Sequence, residues 1–473
     1  MVTRKPKRVL HQQFVPDPMA SREPGLHPRP ESDQGLYPGE PETCRRKLRP
    51  FLITLAHLAL LLAVFKAYRL EERAFQGRAF QTLVTIALLA LPLHYLAPFR
   101  WKKPLFVAVS MAGLLGVCGA QVAAMVLLFA GVLIGTCFLP IPWIGRAAIC
   151  AALAAVMARA RTEMASTTIP DGVWPILAAM FMFRMIIYLY ELKHIKKPEK
   201  LVDTLSYFFL LPNYCFPLFP VVDYRTMQRG YFAGDVHSMQ RRGLQMMFRG
   251  TVHLLCYRLV YHELLIPAAG VHDLVSLFSY LVCNNLLYLQ VSGQFHMACG
   301  MLHLFGFQLP ETHHNYLLAT GFTDYWRRIN IYWKDFMVRL FFNPVVFRLK
   351  RWPQPAALAV ATLVVFLATW LLHAYQSFWL RGSWGFTVPD ALFWGILGLL
   401  VLVNVQLDAR RSRVRPSARG PSSPGTRPSP RAILVRTCKV AGTFTMVALL
   451  WSLWSSPSLS EWLDMVHRGI YVS

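Results

Sequence analysis

Apolar residues in this chain gather into runs of membrane-crossing length, separated by short basic or proline-rich stretches. A helix of about 20 residues crosses the hydrocarbon layer of a bilayer. The stretches 50–65, 80–99, 104–143, 174–190, 246–271, 274–307, 356–380, 388–407 and 434–454 approach or meet that length, and 104–143 is long enough for two passes. Counting marginal segments, the pattern predicts an all-α polytopic membrane protein with roughly nine to eleven transmembrane helices.

Composition agrees. Apolar residues make up 55% of the 473 and mean hydropathy is +0.37, while the charged residues are too few and too clustered to clothe a soluble globule of this size. A net charge of +25 would suit a nucleic-acid binder, but its distribution argues against one. Lysines and arginines sit in short tracts beside apolar runs: Arg45-Arg46-Lys47-Arg49, Arg100-Lys102-Lys103, 193–200, Arg241-Arg242 and 410–415. Cytoplasmic loops that hold orientation and face anionic lipid have this arrangement. The amino-terminal tail, the basic loops and the Arg-rich loop near residue 415 are therefore assigned to the cytoplasm, with membrane lipids and no nucleic acid as partners.

The nine cysteines show no metal-type spacing, and most, such as Cys118, Cys137, Cys150, Cys256 and Cys283, lie in apolar runs as small packing residues. Residues 1–44, rich in Pro, Glu, Arg and Gly, read as a disordered tail. The first apolar run lies too far along the chain for a cleaved secretion signal and is expected to stay as an anchor. Residues 410–431, built of Arg, Pro and Ser, read as a flexible loop between two late helices. No internal repeat is visible, which disfavours transporters assembled from duplicated halves.

Polar groups inside membrane segments are expensive and mark candidate chemistry. The run 356–380 carries one residue that titrates near neutrality, His373. In a soluble core a lone histidine is usually structural. In a lipid-embedded helix the imidazole must find partners and tends to line a polar cavity. Just upstream, Thr323-Asp324-Tyr325-Trp326-Arg327-Arg328-Ile329-Asn330-Ile331-Tyr332-Trp333-Lys334-Asp335 is too charged for lipid yet strongly aromatic. With the stretch 336–350, interrupted by Pro344, it reads as a pair of short interfacial or re-entrant helices dipping in from the cytoplasmic side; by periodicity alone it is an ordinary surface helix.

These residues resemble the membrane-bound O-acyltransferase (MBOAT) family. Asp324 to Asp335 resembles its aromatic Arg-Arg signature. Tyr288-Leu289-Gln290-Val291-Ser292-Gly293, continuing to Met297-Ala298-Cys299-Gly300, resembles its Asp-Phe-Ser-Gly element and the following Ala-x-Gly. Phe305-Gly306-Phe307-Gln308-Leu309-Pro310 and Asn315-Tyr316 resemble the joining stretch, and His373 falls where the family carries its hallmark histidine. Leu392-Phe393-Trp394-Gly395 resembles a later Leu-Trp-Gly segment, and Leu210-Leu211-Pro212-Asn213-Tyr214 with Pro217 and Pro220 a family loop. The likeness covers roughly residues 200 to 400, nearest in motif order to the bacterial branch that acetylates alginate or moves D-alanine. Three departures stand out: Ile329-Asn330 replaces that branch's Trp-His, giving an Asn/His pair like the sterol and diacylglycerol acyltransferases. Gln290 replaces an Asp, and Leu372 and Ala374 flank His373 in place of Trp and Gly.

The resemblance implies helices around a central tunnel and acyl transfer from a thioester to a hydroxyl of a lipid, polysaccharide or other acceptor. His373 would be general base, and Asn330 would stabilise the oxyanion or orient His373. Trp326, Arg327, Arg328 and Lys334 would meet the donor's phosphates at the cytoplasmic mouth or anchor the interface, and Ser292, Gln290, His296 and Trp370 would line the acceptor or tunnel region. It implies no bound cofactor or metal, acyl-CoA or another acyl thioester as co-substrate, an extracytoplasmic protein partner and a bacterial inner (plasma) membrane. The expected organisation is a disordered basic cytoplasmic tail (1–49), amino-terminal transmembrane helices (50–200), an MBOAT-like catalytic core (201–407), an Arg/Pro/Ser-rich loop (408–433) and a carboxy-terminal transmembrane helix and tail (434–473). The competing expectation is a multi-pass transporter or lipid flippase without acyl transfer, for which Asn284, Asn285 and His296 would serve as buried polar groups.

Overall fold

The computed structural model describes residues 48–68, 70, 79–163, 169–177, 182–193, 200–216, 222–414 and 429–471, with side chains 163 and 411–414 excepted. The tail 1–47, Pro217 and Pro220, most of the basic tract 193–200 and the centre of the Arg/Pro/Ser-rich loop lie outside the described residues.

The protein is all-α. Helices α1 (Leu48–Ala67) and α2 (Ala79–Leu96) realise the first two apolar runs. Helix α3 (Phe99–Cys137) takes the long third run, and its interruption at Gly119 (φ 77°, ψ 168°) divides it into two halves. Such a backbone conformation is open to glycine because it lacks a Cβ. Then follow α4 (Trp143–Glu163), α5 (Val173–Ile176), α6 (Phe183–Leu192), α7 (Leu201–Phe208), α8 (Tyr224–Arg229), α9 (Val236–Leu259), α10 (Leu274–Leu286), α11 (Leu289–Leu304), α12 (Phe322–Arg328), α13 (Ile331–Met337), α14 (Asn343–Arg348), α15 (Gln354–Arg381), α16 (Val388–Val414), α17 (Pro430–Trp454) and α18 (Leu459–Tyr471). Among the described residues eight helical stretches are long and apolar enough to cross a bilayer, α10 and α11 counting together as one. The 39-residue α3 counts as one of them although Gly119 divides it, and α9, the helix of the 246–271 run, carries too many arginines to be included.

Local chemistry sets the helix ends. Asp235 caps α9 by accepting from the Ser238 amide at 2.8 Å, and Asp273 with Ser276 forms a reciprocal cap at the start of α10. Gly382, in the left-handed conformation at φ 79°, closes α15. Helix α15 turns Leu363, Leu367 and Leu371 outward and buries Ala361, Val365, Phe366 and Thr369. The i, i+4 spacing of the exposed leucines makes one lipid-facing stripe, and His373 falls on the opposite side.

Several expectations are corrected. The 246–271 run is not one segment: its helix begins at Val236 and gives way to a π-turn at Val260–Leu264. The run 274–307 breaks at Leu287 into two helices. Helix α4 is a further candidate span over Trp143–Thr162, absent from the expected set. Residues 408–414 and 430–433 of the supposed loop are helical. Lys102 and Lys103 do not face lipid headgroups. Both are buried: Lys102 donates to the carbonyls of His94 and Tyr95 at the end of α2 (2.5 and 3.1 Å), where a cation offsets the helix dipole, and Lys103 pairs with Asp203 at 2.6 Å.

The antiparallel α9 and α11 make the closest helix contact. A Cβ on Gly243 would lie 2.7 Å from the Gly300 carbonyl oxygen, and one on Gly250 would lie 2.7 Å from that of Gly293. Glycines seven residues apart on both helices let the backbones touch, the small-residue packing that membrane helices favour.

Candidate functional site

His373 sits on the inner side of α15 and is partly exposed. It makes no hydrogen bond to the described residues. Aromatic rings surround it: Trp394 stacks on it at 4.8 Å, Trp333 lies 5.2 Å away, and Trp454 approaches edge-on at 6.2 Å. These walls come from α16, α13 and α17. Asp390, at the start of α16, ties two indoles together by accepting from Trp370 Nε1 at 2.5 Å and Trp454 Nε1 at 2.6 Å. The indole N–H groups of Trp333 and Trp394 are buried without an acceptor among the described residues, although an indole N–H buried beside a polar group ordinarily finds one.

Asn330 lies at the turn of a hairpin, three residues before Trp333. Trp326 on α12 packs on Phe366 of α15 at 4.8 Å, and Trp333 on α13 meets His373 seven residues further along α15. At 1.5 Å per residue these two contacts lie about 10 Å apart along α15; α12 packs against α16, and the π-turn Val338–Phe342 and α14 pack against α15. Residues 329–330 form the turn. Asn330 is left-handed (φ 42°, ψ 64°) and caps α13, its Oδ1 accepting from the Trp333 amide at 3.3 Å. The sequence 312–314 braces the turn, with the Ile331 amide donating to the Thr312 carbonyl at 2.8 Å and the His314 amide to that of Arg328 at 3.0 Å.

The cations of this segment are largely committed. Arg328 pairs with Asp324 at 2.7 Å and Lys334 with Asp335 at 2.6 Å. Burial opposes the charge on Asp324, but the bonds from Arg328 and Thr320 hold its carboxyl below the usual range. Arg327 is exposed, and Trp326 is packed inside rather than spread at an interface.

Ser292 and His296 belong to a second, sealed cluster, being 0% and 1% exposed. His253 Nδ1 meets Ser292 Oγ at 2.9 Å, and Tyr316 OH lies 3.3 Å from the same oxygen. His313 is bonded at both nitrogens, to Tyr288 OH (3.0 Å) and Thr312 Oγ1 (3.1 Å). The His296 ring lies 5.3 Å from that of His253 and 6.0 Å from that of His313, and its Nδ1 has no partner among the described residues. Burial, then the neighbouring His296 and His253, hold His313 well below the usual histidine range. Gln290 is partly exposed at the start of α11.

Sequence reasoning missed Trp333, Asp390, Trp394 and Trp454 as walls of the His373 chamber, and His253 and His313 in the second cluster. One signal was available: Trp370 and His373, like Trp451 and Trp454, are three apart and share a helix face. No protein-family model and no curated protein matches this chain.

Proposed function

We propose that this membrane protein is an O-acyltransferase that moves an acyl group from acyl-CoA or another thioester to a hydroxyl, with His373 as general base. The observation that carries the reading is a histidine in a membrane-spanning helix, partly exposed and without a hydrogen bond among the described residues, lying against Trp333, three residues beyond Asn330. Structural histidines in apolar surroundings are ordinarily bonded; an open imidazole among indoles is available to a substrate. The ordered resemblance of residues 200 to 400 to the MBOAT family supports the same chemistry, and with it the expectations of a bacterial plasma membrane and of an extracytoplasmic partner.

The steps follow from residue type. His373 accepts the proton of the acceptor hydroxyl as its oxygen attacks the thioester carbonyl. Charge builds on the carbonyl oxygen, and the buried N–H groups of Trp333 and Trp394 are donors suited to it. Asn330 spends its Oδ1 on the helix cap and keeps its amide nitrogen to donate. Collapse of the tetrahedral intermediate expels a thiolate, which recovers the proton from the imidazolium.

The test is acyl transfer by purified protein from a labelled thioester to added hydroxyl acceptors, with His373→Ala alongside. Loss of transfer in a variant that inserts and folds normally is the expected result. Transfer retained in that variant removes His373 from the mechanism, and substrate flux without thioester consumption turns the assignment to a transporter.

A further inference from the structure

Helix α9 has a second face that the acyl-transfer chemistry leaves unused. Ser238, Arg241, Arg242, Gln245 and Arg249 repeat at helical spacings and form one stripe, turned away from the glycine seam at Gly243 and Gly250. With Glu311 they line a cavity of about 410 Å3, within the range of small-molecule pockets, about 300–1,000 Å3. Three guanidinium groups face it against one carboxylate, and Glu311 is engaged by Arg249 at 3.2 Å. A topogenic arginine needs only to stand outside the bilayer. A concave site that gathers guanidinium, hydroxyl and amide donors matches a polyvalent oxyanion, because the planar guanidinium fork fits phosphate oxygens bidentately.

The cavity adjoins the hairpin. Glu311 lines it, the carbonyl of the next residue, Thr312, accepts from the Ile331 amide at 2.8 Å, and two residues further on Trp333 meets His373.

We infer that the α9 cavity binds the phosphate groups of an anionic ligand through Arg241, Arg242 and Arg249. Two sources share this chemistry: a soluble nucleotide-bearing thioester, which rests on the acyltransferase reading, and an anionic lipid headgroup, which does not. The experiment measures binding of coenzyme A, with pantetheine as its phosphate-free counterpart, to the full chain in zwitterionic nanodiscs. Native mass spectrometry follows anionic phospholipid retained by the same protein. Arg241→Gln/Arg242→Gln and, separately, Ser238→Glu at the exposed rim are the variants, each with its thermal midpoint recorded; the rim substitution adds repulsion without touching the core. For a soluble ligand, coenzyme A binds, pantetheine does not, and both variants weaken coenzyme A about tenfold or more, the scale of losing charge-assisted bonds, while His373→Ala binds like wild type. Loss of retained anionic lipid with coenzyme A unaffected assigns the same cavity to a headgroup. Unchanged behaviour of both probes in Ser238→Glu overturns the inference. Coenzyme A binding without acyl transfer in any assay would refute the acyltransferase reading and leave the site standing.

Discussion

Two histidine clusters flank α17, and they are built to opposite rules. On one side His373 stands partly open, unbonded, inside a ring of indoles. On the other, His253 and His313 bond hydroxyls, His313 at both nitrogens, and His296 is sealed between them. Aromatic contacts join them, from Tyr288 to Trp451 (5.3 Å), Trp451 to Trp454 (5.0 Å) and Trp454 to His373 (6.2 Å). Every polar side chain in a membrane interior is a candidate for function. The contrast shows what separates them: hydrogen bonds fix His253 and His313 and packing seals His296, whereas His373 leaves its capacity for hydrogen bonding open to something else.

The sharpest way to break this contrast is to remove the open histidine. His373→Ala should lower acyl transfer by about 10²–10⁴-fold, the usual worth of a general base, with the thermal midpoint in detergent unchanged; a large fall in that midpoint would make His373 structural. His313→Ala should do the reverse. It strands the half-buried Tyr288 hydroxyl, so unfolding free energy should drop by roughly 1–3 kcal/mol, measured by denaturation in micelles, while the folded fraction keeps its turnover. Smaller still, Trp454→Phe retains the ring and removes one of two donors to Asp390, costing roughly 1.5 kcal/mol. Activity should change alongside stability, because Asp390 braces the wall beside His373.

The gentlest probe is pH. His313 is held neutral in the fold but titrates near 6.5 when unfolded. Below that pH the unfolded chain binds the extra proton, so stability is lost as pH falls, by at most about 1.4 kcal/mol per unit for one histidine. Thermal midpoints between pH 7.5 and 5 should slope downward in the wild type and less steeply in His313→Gln. Equal slopes would mean that His313 is not the group responsible.

The long apolar spans were legible because crossing a bilayer imposes a length that composition alone displays, as in α1, α2, α15, α16 and α17. Helix α4 escaped notice because alanines carry it and Arg146, Arg159 and Arg161 interrupt it. The start of α9 was hidden for the opposite reason, since a helix with arginines along one side does not read as apolar. His373 and Asn330 could be picked out as polar groups in unusual settings. Their surroundings could not: Trp333, Asp390, Trp394 and Trp454 come from separate helices, and only packing brings them to one imidazole.

The left-handed backbone of Asn330 also limits which residues can occupy the tip of the hairpin. Branched side chains are disfavoured there by about 1–2 kcal/mol, whereas glycine accepts the conformation freely and aspartate tolerates it. Aspartate would preserve the cap and abolish the amide donor; glycine would keep the bend and lose both. A panel of three substitutions at one position, Asn330→Asp, Asn330→Gly and Asn330→Val, can therefore separate scaffold from reagent, a distinction that truncation to alanine would blur.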